Sequence, residues 1–193
     1  GLVNAHTHLQ YTGMASVGAG QYRGFDSWAR AFDEVYDAGG LDWGGDAAAG
    51  ARLLLEGGTT AAADVVTDAA AASALHDAGL HGVAYWEVMS WSNEEWRARG
   101  EREVSESLDA MPTPPAVGIS PHAPYSLDAE PLLDLPDMAR RRGMRIHIHL
   151  GESHSEAEWS ETRTTDLADL WKSEHSSSFT AMRSRGGGFS STQ

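Results

Sequence analysis

Short apolar runs alternate with stretches of helical period along most of the chain. Residues 2–5 read as a brief strand leading into the polar pair His6 and His8. Residues 24–38 place Phe25, Trp28, Phe32, Val35 and Tyr36 at helical spacing. An Ala/Leu-rich helix follows over 46–56, closed by Gly57 and Gly58, residues suited to a helix C-terminus. Continuing, the pattern predicts a strand at 59–66, a helix at 68–78, and a strand at 82–89. A charged helix at 92–110 opens on Ser92 with Glu95 three residues on, a capping box. A strand at 116–120 stops at Pro121, a helix spans 129–142 up to Gly143, and a strand covers 145–150.

Strand followed by helix, five times over, predicts parallel strands joined by crossover helices. The strands are apolar on both faces, as in a sheet covered by helices. Polar groups recur at strand C-terminal ends: His6 and His8, Asp64, Glu87, His122, then His149 with Glu152. Chemistry placed there belongs to (β/α) barrels. An open doubly wound sheet shares the rule, but no Gly-rich phosphate loop announces one. The expected fold is therefore α/β, a TIM (β/α)8 barrel of which strands 1 to 5 are present. Beyond about residue 160 only a helical stretch at 167–171 stands out before a Ser/Gly-rich tail. The expected division is barrel over 1–160 and an unassigned tail over 161–193. Five strands leave apolar edges open, so the remainder is expected from further residues or another chain, with self-pairing a consequence.

Charge narrows the partners. Lys plus Arg number 14 against 28 Asp plus Glu, a net charge of −14. That excess argues against nucleic acid and anionic membrane, which need basic patches. It suits a neutral or cationic small-molecule substrate, although a solvated acidic surface is the blander explanation and the favoured one. No cysteine is present, so any metal must be held by His, Asp or Glu. Cysteine absence fits a cytoplasmic chain, and no apolar run approaches the ~18 residues of a membrane span.

Side chains alternate faces along a strand, so His6 and His8 point one way, as do His147 and His149. Several imidazoles facing one cavity are a costly core and good divalent-metal ligands. Strands one and five are both odd-numbered and share interior layers of a barrel. His6, His8 and His149 are thus expected at one metal, zinc first and iron(II) second, with three neutral imidazoles and an open position. Glu152 stands where a proton shuttle belongs.

Four ordered segments carry a family resemblance: GLVNAHTHL on the first strand, GGTTAAAD on the second, SPHAPYS on the fourth and HIHLGES on the fifth. Together they resemble the amidohydrolase superfamily, in its cytosine deaminase-like and chlorohydrolase-like branch, over roughly residues 1–160. The resemblance implies metal binding by His6, His8 and His149, acid/base catalysis by Glu152, and substrate contact by His122. Trp28 is the nearest match to a tryptophan that lines the pocket in adenosine-type deaminases. The implied activity is hydrolytic deamination of an aminated purine or pyrimidine-type ring, closest to aminodeoxyfutalosine or adenosine-type enzymes. A chlorohydrolase or cyclic-amide hydrolase with the same metal core is the alternative. A third reading is a non-catalytic truncated chain that needs a partner. The family also uses a histidine after strand six and an aspartate after strand eight, and neither is found in the sequence.

Blander readings stand beside these. His147 is read as packing behind His149, Asp64 and Glu87 as structural strand-end groups, and Trp28 equally as core.

Overall fold

The computed structural model describes residues 1–162. Within them, β1 (Leu2–Thr7), β2 (Thr59–Val66), β3 (His81–Val88), β4 (Ala116–Pro121) and β5 (Arg145–Ile146) form one sheet in the order β1-β2-β3-β4-β5. Every neighbouring pair is parallel. The helices are α1 (Ala15–Gly18), α2 (Phe25–Ala38), α3 (Trp43–Glu56), α4 (Ala74–Asp77), α5 (Asn93–Glu95), α6 (Glu101–Ala110), α7 (Ala129–Arg142) and α8 (His154–Thr162). A π-helical turn at Trp96–Gly100 joins α5 to α6, so the expected helix over 92–110 is continuous but wider at one turn. Ser92 caps it as anticipated, accepting from the Glu95 amide at 3.2 Å. No helix of the described residues is long and apolar enough to cross a membrane.

Period-two alternation assigns the two faces of the sheet. Ala62 and Val66 of β2, Ala84, Trp86 and Val88 of β3, and Ile119 of β4 pack on one face against Ala47, Leu75, Val104, Leu108 and Leu135 from the helices. The intervening residues Ala63, Val65, Val83 and Tyr85 form a smaller cluster on the other face. Gly118 belongs to this second face, where a Cβ would run into the Tyr85 ring. Glu87 follows Tyr85 in the alternation and carries the second face toward the strand C-termini.

The sheet curls. At ~4.8 Å per strand, β1 and β5 would stand ~19 Å apart in a flat sheet. Instead His6 Nδ1 lies 2.6 Å from His147 Nε2, and His8 Nε2 lies 3.2 Å from His149 Nε2. Edge strands meeting through their side chains across a concave face are the arrangement of the first five strands of a barrel. Helices cover the convex side. Both edges keep apolar side chains exposed among the described residues, including Val3 on β1 and Leu150 beyond β5.

Three expectations about elements change. β1 runs two residues further than residues 2–5, through His6 to Thr7, with a register shift between Asn4 and Thr7. The helix expected at 68–78 breaks into a short 3-10 turn (Ala69–Ala71) and α4. Asp68 caps the first piece, accepting from the Ala70 amide at 2.8 Å, and no apolar period drives a longer helix. The strand expected at 145–150 is regular only over Arg145–Ile146. The His147 and His149 amides still donate to the Ile119 and His122 carbonyls, at 3.0 and 2.9 Å. Two residues there span three of the partner strand, a bulge at Ser120–Pro121 that ends regular pairing. The helical stretch anticipated at 167–171 and the tail lie outside the described residues.

Candidate metal centre and active site

The six side chains singled out from the sequence, His6, His8, Trp28, His122, His149 and Glu152, line one cavity of about 250 Å³ at the C-terminal end of the sheet. β1 supplies His6, and His8 follows it directly, their rings 5.1 Å apart and edge-on. His149 arrives from the irregular end of β5. Ligand nitrogens of His6, His8 and His149 lie within 4.8 Å of one another.

Hydrogen bonding assigns the tautomer of His149. Its Nδ1 lies 2.9 Å from the His122 carbonyl oxygen, which can only accept. Nδ1 therefore carries the proton, and the Nε2 lone pair faces His8. His8 is held neutral: burial, then the neighbouring His149, His6 and His147 rings, push its pKa down to about 3. Burial and the same neighbours lower His6 as well. Three imidazoles with ligand nitrogens this close together fit the donor set of a divalent ion.

A second group of candidate ligands, Glu87, His122 and His149, shares His149 with the first. Its carboxylate is a poor ligand as it stands. Burial and the nearby Glu152 charge raise Glu87 to about 8, which keeps it protonated at neutral pH. Glu87 Oε1 is buried without a hydrogen-bond partner, 3.7 Å from the His149 Nδ1 whose proton goes to the His122 carbonyl. A bound cation would displace the Glu87 proton, so the two groups are distinguished by position: only the three-imidazole set draws on both edges of the sheet.

His147 does not sit behind His149. It stacks on His6, with ring centres 4.8 Å apart, and on its other side approaches Tyr85 at 5.1 Å. His122 is fixed by a 2.8 Å contact between its Nδ1 and the Ser126 hydroxyl. Asp64 supports β1 from below, accepting from the Leu9 amide at 2.9 Å. Glu152 accepts from the Tyr125 hydroxyl at 2.6 Å.

The wall opposite the histidines is aromatic. α2 turns Phe25, Trp28 and Phe32 toward the cavity, and Tyr11 stacks on His8 at 5.1 Å. Helical spacing had marked Phe25 and Phe32, but nothing in the sequence said which side of α2 they would present. Tyr125 was also missed; its signal was its place three residues after His122 in the proline-bounded SPHAPYS turn.

The 5'-deoxyadenosine deaminase of Methanosphaera stadtmanae is 24% identical over 163 residues, covering 81% of this chain and 38% of its own length. The chain thus spans well under half of that relative. Among solved structures, the aminofutalosine deaminase of Helicobacter pylori in complex with methylthio-coformycin superposes with a TM-score of 0.71 at 21% identity. That match covers 89% of this chain and 42% of the neighbour. An adenosine deaminase from Xanthomonas campestris with bound zinc gives 0.64 at 23% identity, covering 89% and 41%. At these identities the structural matches speak for the fold. The amidohydrolase family model matches residues 1–169, which include every described residue and with them His6, His8 and His149, and the chain belongs to the amidohydrolase family.

Proposed function

We propose that the chain carries the metal-binding half of a zinc-dependent hydrolytic deaminase for adenosine-type nucleosides. One observation carries this reading. His6, His8 and His149 bring ligand nitrogens within 4.8 Å of one another, and Glu152 shares their cavity with aromatic side chains. The deaminase relatives support the reaction, and the zinc-bound neighbour supports the metal.

His6, His8 and His149 would hold the ion, which supplies Lewis acidity for the attacking water. Phe25, Trp28 and Phe32 offer flat apolar faces to a planar base and keep bulk water from it. As water adds to the amine-bearing carbon, the Glu152 carboxylate would take one of its protons and pass it to the ring nitrogen. The proton of the new hydroxyl would then pass through the same carboxyl to the amine, which departs as ammonia and leaves a ring carbonyl. His122, steadied by Ser126, stands beside His149 where the developing charge needs a polar neighbour.

Ammonia release from adenosine and 5'-deoxyadenosine by the zinc-loaded, full-length enzyme tests the reading. Glu152→Gln should retain zinc while turnover falls on the order of 10²-fold or more. Release of another leaving group with no ammonia, or loss of zinc in Glu152→Gln, would contradict it.

A further inference from the structure

Glu152 sits on a loop, yet a proton shuttle must stay within hydrogen-bond reach of the atom it serves. Two separate groups fix it. The Tyr125 hydroxyl donates to Glu152 Oε2 at 2.6 Å, across 27 residues of chain. Below it, the Glu156 carboxylate accepts from the Gly151 amide at 3.1 Å and the Glu152 amide at 2.7 Å. Glu156 is itself buried, at 3% exposure, and its own amide donates to the Ser153 hydroxyl at 3.1 Å. Gly151, at φ 69°, makes the turn that lets two successive amides face one carboxylate.

The Tyr125 ring is equally constrained. It is 6% exposed and packs with Ala123, Phe25 and Trp159. Its ring meets Phe25 at 6.2 Å and His122 at 5.8 Å, both edge-on. The phenol is thus held by α2, by the SPHAPYS turn and by α8 at once. Burial keeps it protonated, so it can only donate to Glu152.

We infer that Tyr125 is a positioning residue for the Glu152 carboxylate, acting with Glu156, which fixes the backbone that carries it. Tyr125 occupies Oε2 and leaves Oε1 for the proton traffic of the reaction. The inference rests on the proposed proton-shuttle role of Glu152. It extends that role to two further residues, Tyr125 on the cavity wall and Glu156 beneath the loop. A small misplacement of an acid/base group costs on the order of 10²-fold, which sets the scale of the effect.

Tyr125→Phe keeps the ring and removes only the hydroxyl. In the zinc-loaded, full-length enzyme it should lower kcat about ten- to a hundredfold, with KM, zinc content and melting temperature unchanged. In a Glu152→Gln background the same change should cost nothing further, because the carboxylate it serves is gone. Glu156→Gln, which loses one of two acceptor oxygens, should lower kcat by a smaller factor at the same zinc content. A crystal structure of Tyr125→Phe should show the Glu152 carboxylate turned from its present position. Unchanged kcat in Tyr125→Phe, or an equal loss with and without Glu152, overturns the inference. So does an unmoved carboxylate. If the parent enzyme deaminates no nucleoside, the proposed function falls, and the carboxylate's position in the Tyr125→Phe structure alone decides whether the clamp exists.

Discussion

The centre and the edges of the sheet divide the labour. β2, β3 and β4 are packed on both faces, with Val65, Val66 and Ile119 wholly buried. Among the described residues β1 and β5 have one neighbour each, keep Leu2, Val3 and Ile146 exposed, and bring in the three histidines His6, His8 and His149. Stability concentrates where the chemistry is absent, and the chemistry sits where the sheet is thinnest. Curvature reconciles the two. The packed centre bends the sheet until its edges face each other, and imidazoles 141 residues apart come within hydrogen-bond distance. The central strands contribute at their C-terminal ends: Glu87 of β3 and His122 just past β4 line the cavity, and Asp64 of β2 holds the turn after His8.

The sharpest break in this picture is removal of an edge ligand. His149→Ala should lower zinc affinity on the order of 10³-fold, beyond the 10–100-fold typical of groups behind the ligands. Competition against a chromophoric chelator measures it, and circular dichroism should show the fold retained. Zinc held at parent affinity would remove β5 from the metal centre.

Packing tests the same division next. Ile119→Ala, in the core between β4 and the helices, should cost about 2–5 kcal/mol. Leu150→Ala, 73% exposed past the end of β5, should change stability by less than about 0.5 kcal/mol. Denaturant melts of the two variants compare centre with edge directly. Equal losses would mean that the β5 edge is covered in the protein under test.

A smaller effect follows from Asp64. Burial raises its carboxyl to about 7 from the usual 3.8, against the opposing hydrogen bond from Leu9. Between about pH 4 and pH 7 the folded chain keeps a proton that the unfolded chain has released. Stability contributed by this group therefore falls as pH rises through that window and levels off above it. Asp64→Asn stays neutral and can still accept from Leu9, so its advantage over the parent should grow from near zero at pH 4 to a maximum above pH 7. Melting temperature against pH would show it, and a constant offset would contradict the assignment.

Much of this division is legible in the chain. Strands at 59–66 and near 82–89 announce themselves because they are buried on both faces, and a run of small and β-branched residues has few other uses. The candidate metal ligands are conspicuous because imidazoles stand out at the ends of apolar strands. Edges are harder. β1 reads short because its last residues are the histidines themselves, polar where a strand pattern wants apolar residues. β5 reads long because the ladder continues past Ile146 only through a bulge that the sequence does not mark. The supports for the chemistry are least legible. Tyr125 and Glu87 matter through contacts made far along the chain, and no local spacing signals a hydroxyl that meets a carboxylate 27 residues away.

The central claim is that the two edges meet at one ion. A crystal structure of the zinc-loaded protein, with anomalous data collected at the zinc edge, tests it most directly. The account predicts one peak bonded to nitrogens of His6, His8 and His149 at about 2.0–2.1 Å, with His149 binding through Nε2 and its Nδ1 proton still on the His122 carbonyl. A peak among Glu87, His122 and His149, or none near β1, would contradict it.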